Sequence, residues 1–154
     1  MTTLQELDVN YMSDADNPWV PSIPMSEQVT MKYWKIDPAR GEVVASMRMP
    51  AGLDLPKHYH SGIVIAHTIS GAWRYIENNW VSRVGDTVYE VAGSSHTPET
   101  LEDTEVFFYM VGELLFLDDD QKLLWKENAQ TMLDRYNNYC AANGIVPRDL
   151  TSFG

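Results

Sequence analysis

Residues 29–125 carry short apolar runs, several of them alternating with polar residues, and turn-forming residues separate these runs. The clearest runs are residues 43–49, 63–69, 73–76, 87–91 and 105–111. Turns are expected where Asp, Asn, Gly and Pro gather, at residues 37–41, 77–79, 83–86 and 118–120. Short runs bounded by turn residues are typical of β-strands, and many such strands at close spacing predict an all-β sandwich or barrel.

The spacing of apolar residues changes near the C-terminus. Apolar residues recur there at intervals of three and four, at Ala129, Met132, Leu133, Tyr136 and Cys140. This spacing predicts one amphipathic helix over residues 128–142, ended by an Asn-Gly pair. The helix would pack on the barrel or form a subunit contact, and its periodicity suits both.

The N-terminal segment is polar and has no clear period. Residues 1–26 contain three prolines, which favour an extended arm that lies over the barrel or over a neighbouring subunit. Residues 27–154 would then form a single domain that includes the helix. A chain of 154 residues with 44% hydrophobic residues is enough for one such core.

Charge and composition exclude several classes of partner. With 22 acidic and 11 basic residues, the net charge of −11 repels phosphate backbones, so nucleic acid is not expected as a partner. No apolar stretch approaches the roughly 18 residues of a spanning helix, so no membrane partner is expected. The single cysteine, Cys140, rules out an internal disulfide and is expected to be a buried, inert thiol. Because no basic start and apolar run open the sequence, the expected location is cytoplasmic.

Three of the four histidines have a spacing that suits a metal ion. His58 and His60 are two residues apart, so on a strand both imidazoles point the same way, and His96 would join them from another strand. His67 is an odd number of residues from position 64. On a regular strand it therefore points away from the metal side, and it is expected to be packed or solvated.

The glycines around these histidines carry a family resemblance. Gly52 precedes His58 by six positions, Gly71 follows the His-x-His pair, and Gly85 and Gly93 precede His96. This arrangement resembles the two motifs of the cupin family, which implies a jelly-roll barrel. Three positions depart from those motifs, namely Val64 for the usual metal-binding Glu, Val91 for a proline and Thr100 for an asparagine. Without that Glu, the resemblance implies a three-histidine site, as in cupin oxygenases that cleave carbon–carbon bonds.

A closer resemblance extends over roughly residues 19–136. It rests on residues 56–62, 71–75, 88–90, 92–93, 96–97 and 114–118, which are similar to the 2,4'-dihydroxyacetophenone dioxygenase family of cupins. The resemblance implies a non-haem iron(II) enzyme with His58, His60 and His96 as ligands. Such an enzyme uses O2 to cleave a small, aromatic 2-hydroxyketone or related dicarbonyl into two carboxylic acids. Family habit further implies a homodimer or a higher homo-oligomer.

The ligand types alone leave the metal and the reaction open. Three neutral imidazoles leave two or three free positions, enough for a chelating hydroxyketone and O2. Zinc, nickel or manganese would fit the same imidazoles, so iron(II) rests on the resemblance. Two alternatives remain, a metal-binding sensor or regulatory cupin without enzymatic activity and a metal-dependent isomerase or hydrolase.

Glu90 lies among apolar and aromatic residues, where an unpaired carboxylate would be costly. Facing inward, it could accept a hydrogen bond from a ligand histidine or act on substrate protons. Facing outward, it would pair with Arg74 or Arg83. Seven aromatic residues lie nearby in the sequence, and we expect them mainly in the hydrophobic core, although some could line a substrate cavity. They are Trp73, Tyr75, Trp80, Tyr89, Phe107, Phe108 and Tyr109.

Overall fold

A computed structural model of the chain describes residues 9–152, and this part of the chain is built from thirteen strands and one α-helix. The strands are β1 Val20–Ser22, β2 Ser26–Asp37, β3 Glu42–Met49, β4 His58–His60, β5 Val64–Ser70, β6 Ala72–Tyr75, β7 Ser82–Arg83, β8 Thr87–Glu90, β9 Ser95–His96, β10 Pro98–Thr100, β11 Thr104–Val111, β12 Leu114–Leu117 and β13 Leu123–Glu127. The helix, α1, is Ala129–Ala142, and a 3-10 turn covers Asp14–Asp16. The all-β class with one C-terminal helix is confirmed.

Two sheets supply most of the barrel. One has six strands in the order β1-β2-β3-β11-β5-β8, and the other has four in the order β13-β12-β4-β9. A third sheet, β10-β6-β7, has three short strands. Side chains of the six-stranded and four-stranded sheets line one cavity, so these two sheets face each other across it.

Burial alternates along the long strands, as the sequence pattern requires. In β11, Val106, Phe108 and Met110 are buried, whereas Phe107 between them is exposed. Side chains of a strand alternate between its two faces, so one face of β11 is in the core. The five apolar runs correspond to β3, β5, β6, β8 and β11 within one residue at each end.

The helix packs on its own barrel. Asn128 caps it, because its side chain accepts a hydrogen bond from the Thr131 backbone N–H, while the Thr131 hydroxyl accepts one from the Asn128 backbone N–H. Its apolar stripe contacts β1, β2 and β13. The buried residues of the stripe are Ala129, Met132, Tyr136 and Cys140. Within residues 9–152, no helix is long and apolar enough to cross a lipid bilayer.

The described part of the arm also lies on its own barrel. Strand β1 pairs antiparallel with β2, the Asn17 amide donates a hydrogen bond to the Tyr33 carbonyl, and Asp14 forms an ion pair with Lys32. The arm therefore extends the main sheet by one strand. Its first eight residues lie outside the described residues, and the boundary at residue 26 stays a prediction.

Candidate metal centre

The three histidines of the predicted site meet at the edge of the four-stranded sheet. His58 and His60 are the two ends of β4, and β9 pairs with β4 so that His96 lies opposite His58. Between them, Tyr59 turns outward and is exposed. One ring nitrogen from each histidine lies within 4.8 Å of the other two, and all three side chains are buried. The two-residue spacing therefore directs both β4 imidazoles to one point, and antiparallel pairing adds the third.

Burial keeps the two imidazoles of β4 neutral. It lowers the pKa of His58 to about 4 and that of His60 to about 3, so both have a free lone pair at neutral pH. His58 Nδ1 lies 3.1 Å from the Pro56 carbonyl and donates to it, which leaves His58 Nε2 as the lone-pair atom. His60 Nε2 and His96 Nε2 are 2.8 Å apart, a distance at which the two nitrogens share a proton or face one cation.

This donor set fits a divalent transition-metal ion, because clustered neutral imidazoles are ligands that such ions prefer in proteins. No carboxylate or thiolate is needed to complete three positions, and further positions would stay open to a substrate. The assignment of His58, His60 and His96 as ligands stays a prediction, and so does the identity of the metal.

Glu90 faces inward, beside the histidines. Its side chain is buried, and Oε2 lies 3.1 Å from His60 Nε2 and 3.6 Å from His96 Nε2. The Tyr75 hydroxyl donates a hydrogen bond to Oε1. The outward alternative, with Arg74 or Arg83 as partner, is wrong. The structure pairs those arginines with other carboxylates, Arg74 with Glu99 and Arg83 with Glu102.

Strand pairing explains how Glu90 reaches the site. Glu90 lies directly opposite Val64, the residue at the position of the usual cupin Glu. The neighbouring strand β8 thus brings a carboxylate to the part of the barrel where β5 has none. Burial alone would raise the pKa of Glu90, but its hydrogen bond with His96 and the nearby His60 ring lower the pKa below its ordinary value.

Tyr75 is a further residue of the site, and the sequence reasoning had placed it only among possible cavity-lining aromatics. Its ring stacks on that of His96, with centroids 3.7 Å apart and planes 19° apart. Burial and the adjacent Glu90 hold the pKa of Tyr75 well above its ordinary value, so the hydroxyl stays a proton donor at neutral pH. Trp73 and Trp80 pack edge-on against this ring and fix its position.

An apolar cavity of about 70 Å³ lies beside His60, between the two main sheets. Thioether and hydrocarbon side chains dominate its wall, which contains Met25, Met31, Met47, Val64, Phe108, Met110, Leu114 and Met132. The polar residues of the wall are Ser22, His60 and Glu127. Among the seven aromatic residues considered from sequence, Phe108 is the one that lines this cavity, because Tyr89 and Phe107 face outward and the tryptophans pack elsewhere.

His67 lies apart from the three histidines. Its Nδ1 is 2.9 Å from the Thr87 hydroxyl, and its partners in register, Phe107 and Thr87, are both exposed. It thus occupies the outer face of β5, as the odd spacing from Val64 predicted, and it is not part of the cluster.

Similar proteins share this fold over nearly the whole chain. A crystal structure of an RmlC-like cupin protein from Ralstonia eutropha JMP134 has 44% identity and a TM-score of 0.92, covering 96% of this chain and 97% of that chain. A cupin-like protein of unknown function from the same organism has 25% identity and a TM-score of 0.83, covering 99% and 96%. The acetylacetone dioxygenase of Acinetobacter johnsonii has 15% identity and a TM-score of 0.75, covering 90% and 96%, which indicates a shared fold.

No curated protein matches the chain significantly. Residues 8–115, by contrast, match the family of ChrR cupin-like domains. This match includes the arm from residue 8, both glycine–histidine motifs and all strands up to β11. The chain therefore belongs to the ChrR cupin-like family of the cupins.

Proposed function

We propose that this protein is a non-haem iron(II) dioxygenase that cleaves the carbon–carbon bond of a small 2-hydroxyketone or related dicarbonyl. The observation that carries the proposal is a cluster of three buried histidine side chains, one of which, His60, lines an apolar cavity, with one carboxylate beside the cluster. The acetylacetone dioxygenase mentioned above supports the proposal to the extent that the same fold accommodates such chemistry. Iron and the aromatic character of the substrate rest on the sequence resemblance.

Each residue of the site has a task in this proposal. His58, His60 and His96 would hold iron(II), which supplies chelation of the ketone and activation of O2 when bound. Glu90 Oε2 lies beside two of the ligand nitrogens and would accept the hydroxyl proton of the substrate. The Tyr75 hydroxyl donates to the other oxygen and keeps Glu90 anionic until that transfer. The methionine-rich cavity wall would exclude water.

The experiment that tests the proposal is reaction of the iron-loaded protein under isotopically labelled O2. A 2-hydroxyketone and O2 together contain all the atoms of two carboxylic acids, and the substrate supplies all four electrons. We expect one O2 consumed per substrate without added reductant, and one labelled oxygen in each acid. Label confined to one product, or release of peroxide, would contradict the proposal.

A second candidate is a regulatory, metal-binding cupin, which the match to the ChrR cupin-like domain favours. Oxygen-electrode screening against hydroxyacetophenones, β-diketones and aliphatic hydroxyketones separates the candidates. Stoichiometric metal without oxygen uptake for any compound would favour the regulatory role, whereas turnover without oxygen would favour an isomerase or hydrolase. The homodimer and the cytoplasmic location stay predictions, to be tested by sedimentation and by cell fractionation.

A further inference from the structure

The cavity beside His60 is small and has an almost wholly apolar surface. Its volume is about 70 Å³, and thioether and hydrocarbon side chains make up most of its wall. Five of the eight methionines of the chain line it, namely Met25, Met31, Met47, Met110 and Met132. Methionine side chains are flexible and adapt to their surroundings, so this wall can adjust its contacts to a small occupant.

Water is not a suitable occupant of this cavity. A buried water molecule needs about two to four polar partners, whereas the polar residues of the wall already have partners of their own. The Ser22 hydroxyl donates to the Met31 sulfur, 3.5 Å away, and Glu127 forms an ion pair with Arg135. His60 Nε2 faces the other histidine nitrogens. Apolar cavities without free polar groups stay dry, so we expect no ordered water here.

The hydroxyketone of the proposed reaction does not suit this cavity either. Its carbonyl and hydroxyl groups would lose their hydrogen bonds with water and find no replacement in the wall. The volume is also about half that of a cavity of about 150 Å³ that binds benzene or xenon. The other substrate of that reaction, O2, has two atoms and needs no hydrogen bond, so it fits both the size and the polarity of the space.

The cavity lies next to the histidine cluster. His60 of β4 belongs to both, and Leu114, its partner in register on β12, lines the cavity as well. On the facing sheet, Val64 lines the cavity and is the partner in register of Glu90, whose carboxylate is beside the cluster. A molecule in the cavity would therefore contact a side chain of the cluster.

We propose that this cavity is a binding site for O2 and holds one molecule of the gas beside the histidine cluster. Apolar solutes leave water for apolar surroundings, and contact with many wall atoms adds dispersion attraction. The proposal rests on the proposed function for its part in the reaction, and it assigns the two substrates to different places. O2 occupies the cavity, and the chelating ketone approaches the cluster from outside it.

NMR of the zinc-loaded protein tests this assignment without turnover, because O2 is paramagnetic and speeds the relaxation of nearby methyl groups. The methionine methyls are labelled with carbon-13, and their relaxation is compared under nitrogen and under oxygen pressure. Met31, Met110 and Met132 line the cavity, whereas Met49 is equally buried and lies outside it, which makes Met49 an internal control.

Burial shields all four methyls from O2 in bulk water, so a difference between them reports O2 inside the protein. The enhancement at the three wall methyls should be at least about threefold that at Met49, because an apolar solute concentrates in apolar space. Xenon, an apolar probe of similar size, should shift the resonances of the same three methyls. Equal enhancement at all four methyls would overturn the assignment.

Matched variants show whether the enhancement comes from the cavity. Val64→Leu adds one methylene to the wall and should lower the enhancement in part, and Ser22→Leu adds more volume and should remove it. Val106→Leu is the control, because Val106 is also a buried strand valine but does not line the cavity, and its enhancement should be that of the wild type. Undiminished enhancement in whichever wall variant folds would overturn the assignment.

Oxygen kinetics of the iron-loaded protein links the site to the reaction. Ser22→Leu should raise KM for O2 several-fold while KM for the ketone stays that of the wild type, and an unchanged KM for O2 would overturn the role in the reaction. The two proposals fail separately. Enhancement at the wall methyls without oxygen uptake would support the O2 site and contradict the dioxygenase, whereas oxygen uptake with equal enhancement at all four methyls would do the reverse.

Discussion

The two carboxylate oxygens of Glu90 have different partners. Tyr75 donates to Oε1, whereas Oε2 faces the ring nitrogens of His60 and His96. The Tyr75 ring also stacks on His96, so one tyrosine positions both the carboxylate and an imidazole. Tyr75 thus holds Glu90 and the His96 ring in place, and losing a group next to a metal site typically costs ten- to a hundredfold in affinity or activity.

Replacing Glu90 by Gln tests this role. Because Gln keeps the shape of the side chain but loses the charge, metal content should stay near normal while turnover falls by roughly ten- to a hundredfold. Metal analysis together with oxygen uptake measures both quantities. Glu102→Gln is the control, since Glu102 is exposed and paired only loosely with Arg83, at 3.5 Å. An unchanged rate in Glu90→Gln would refute the role, and a large loss of metal would make Glu90 a ligand.

The sequence predicts the position of the buried carboxylates Glu90 and Glu127 less well than that of the histidines. Spacing alone brings His58 and His60 to one side of a strand. In β8, by contrast, Tyr89 is exposed and Glu90 is buried, which inverts the usual relation between hydrophobicity and burial. In β13, Leu124 is exposed and Glu127 is buried. Sequence reasoning left Glu90 open and missed Glu127, because partners such as Arg135 come from other elements.

At the scale of secondary-structure elements, the length of a strand or helix determines whether the sequence pattern could predict it. The five apolar runs found from sequence all belong to strands of at least four residues, and the helix has 14 residues and begins within one residue of its predicted start. Strands β1, β9 and β10 have two or three residues, too few to establish alternation. They form because a longer neighbouring strand pairs with them, as β4 does with β9. Such pairing depends on the tertiary fold, so the local sequence pattern does not predict it.

The glycines that bracket the first cupin motif provide a matched test of backbone constraints. Gly52 and Gly71 have similar positive φ angles of 71° and 78°. A Cβ on Gly52 would meet nothing within 4 Å, whereas one on Gly71 would lie 2.2 Å from the Asp103 carbonyl oxygen. We expect Gly52→Ala to lower the free energy of unfolding by about 1–2 kcal/mol, the cost of left-handed backbone for Ala. Gly71→Ala should cost clearly more, because backbone must also move.

Urea unfolding followed by circular dichroism measures both variants. Equal losses for Gly52→Ala and Gly71→Ala would mean that the chain relaxes freely around the turn between β5 and β6, and that the close approach to Asp103 does not constrain it.

At the scale of the whole molecule, the cavity joins elements that look separate in the sequence. The arm contributes Ser22 and Met25 to its wall, the helix contributes Met132, and the two main sheets supply the remainder. Arg135 of the helix binds both Glu127 at the end of β13 and the Ile23 carbonyl in the arm. The division into an arm and a domain therefore does not coincide with a division of the site. Sequence periodicity could predict each part but not that they enclose one space.

The metal itself should contribute to the stability of the whole molecule. A ligand that binds only the folded state adds about 2.7 kcal/mol at a free concentration of a hundred times its Kd, which for a chain of this size raises Tm by about 5–10 °C. Zinc, which has no redox chemistry, should produce this shift in the metal-free protein, as measured by differential scanning calorimetry.

Two histidine variants test where the ion binds. His67→Ala should keep the shift in Tm, because His67 lies on the outer face of β5 and is hydrogen-bonded to Thr87. His96→Ala should lose it, since removing one of three imidazoles leaves only the two of β4. A full shift in His96→Ala would contradict the three-histidine site, and loss of the shift in His67→Ala would place the ion elsewhere.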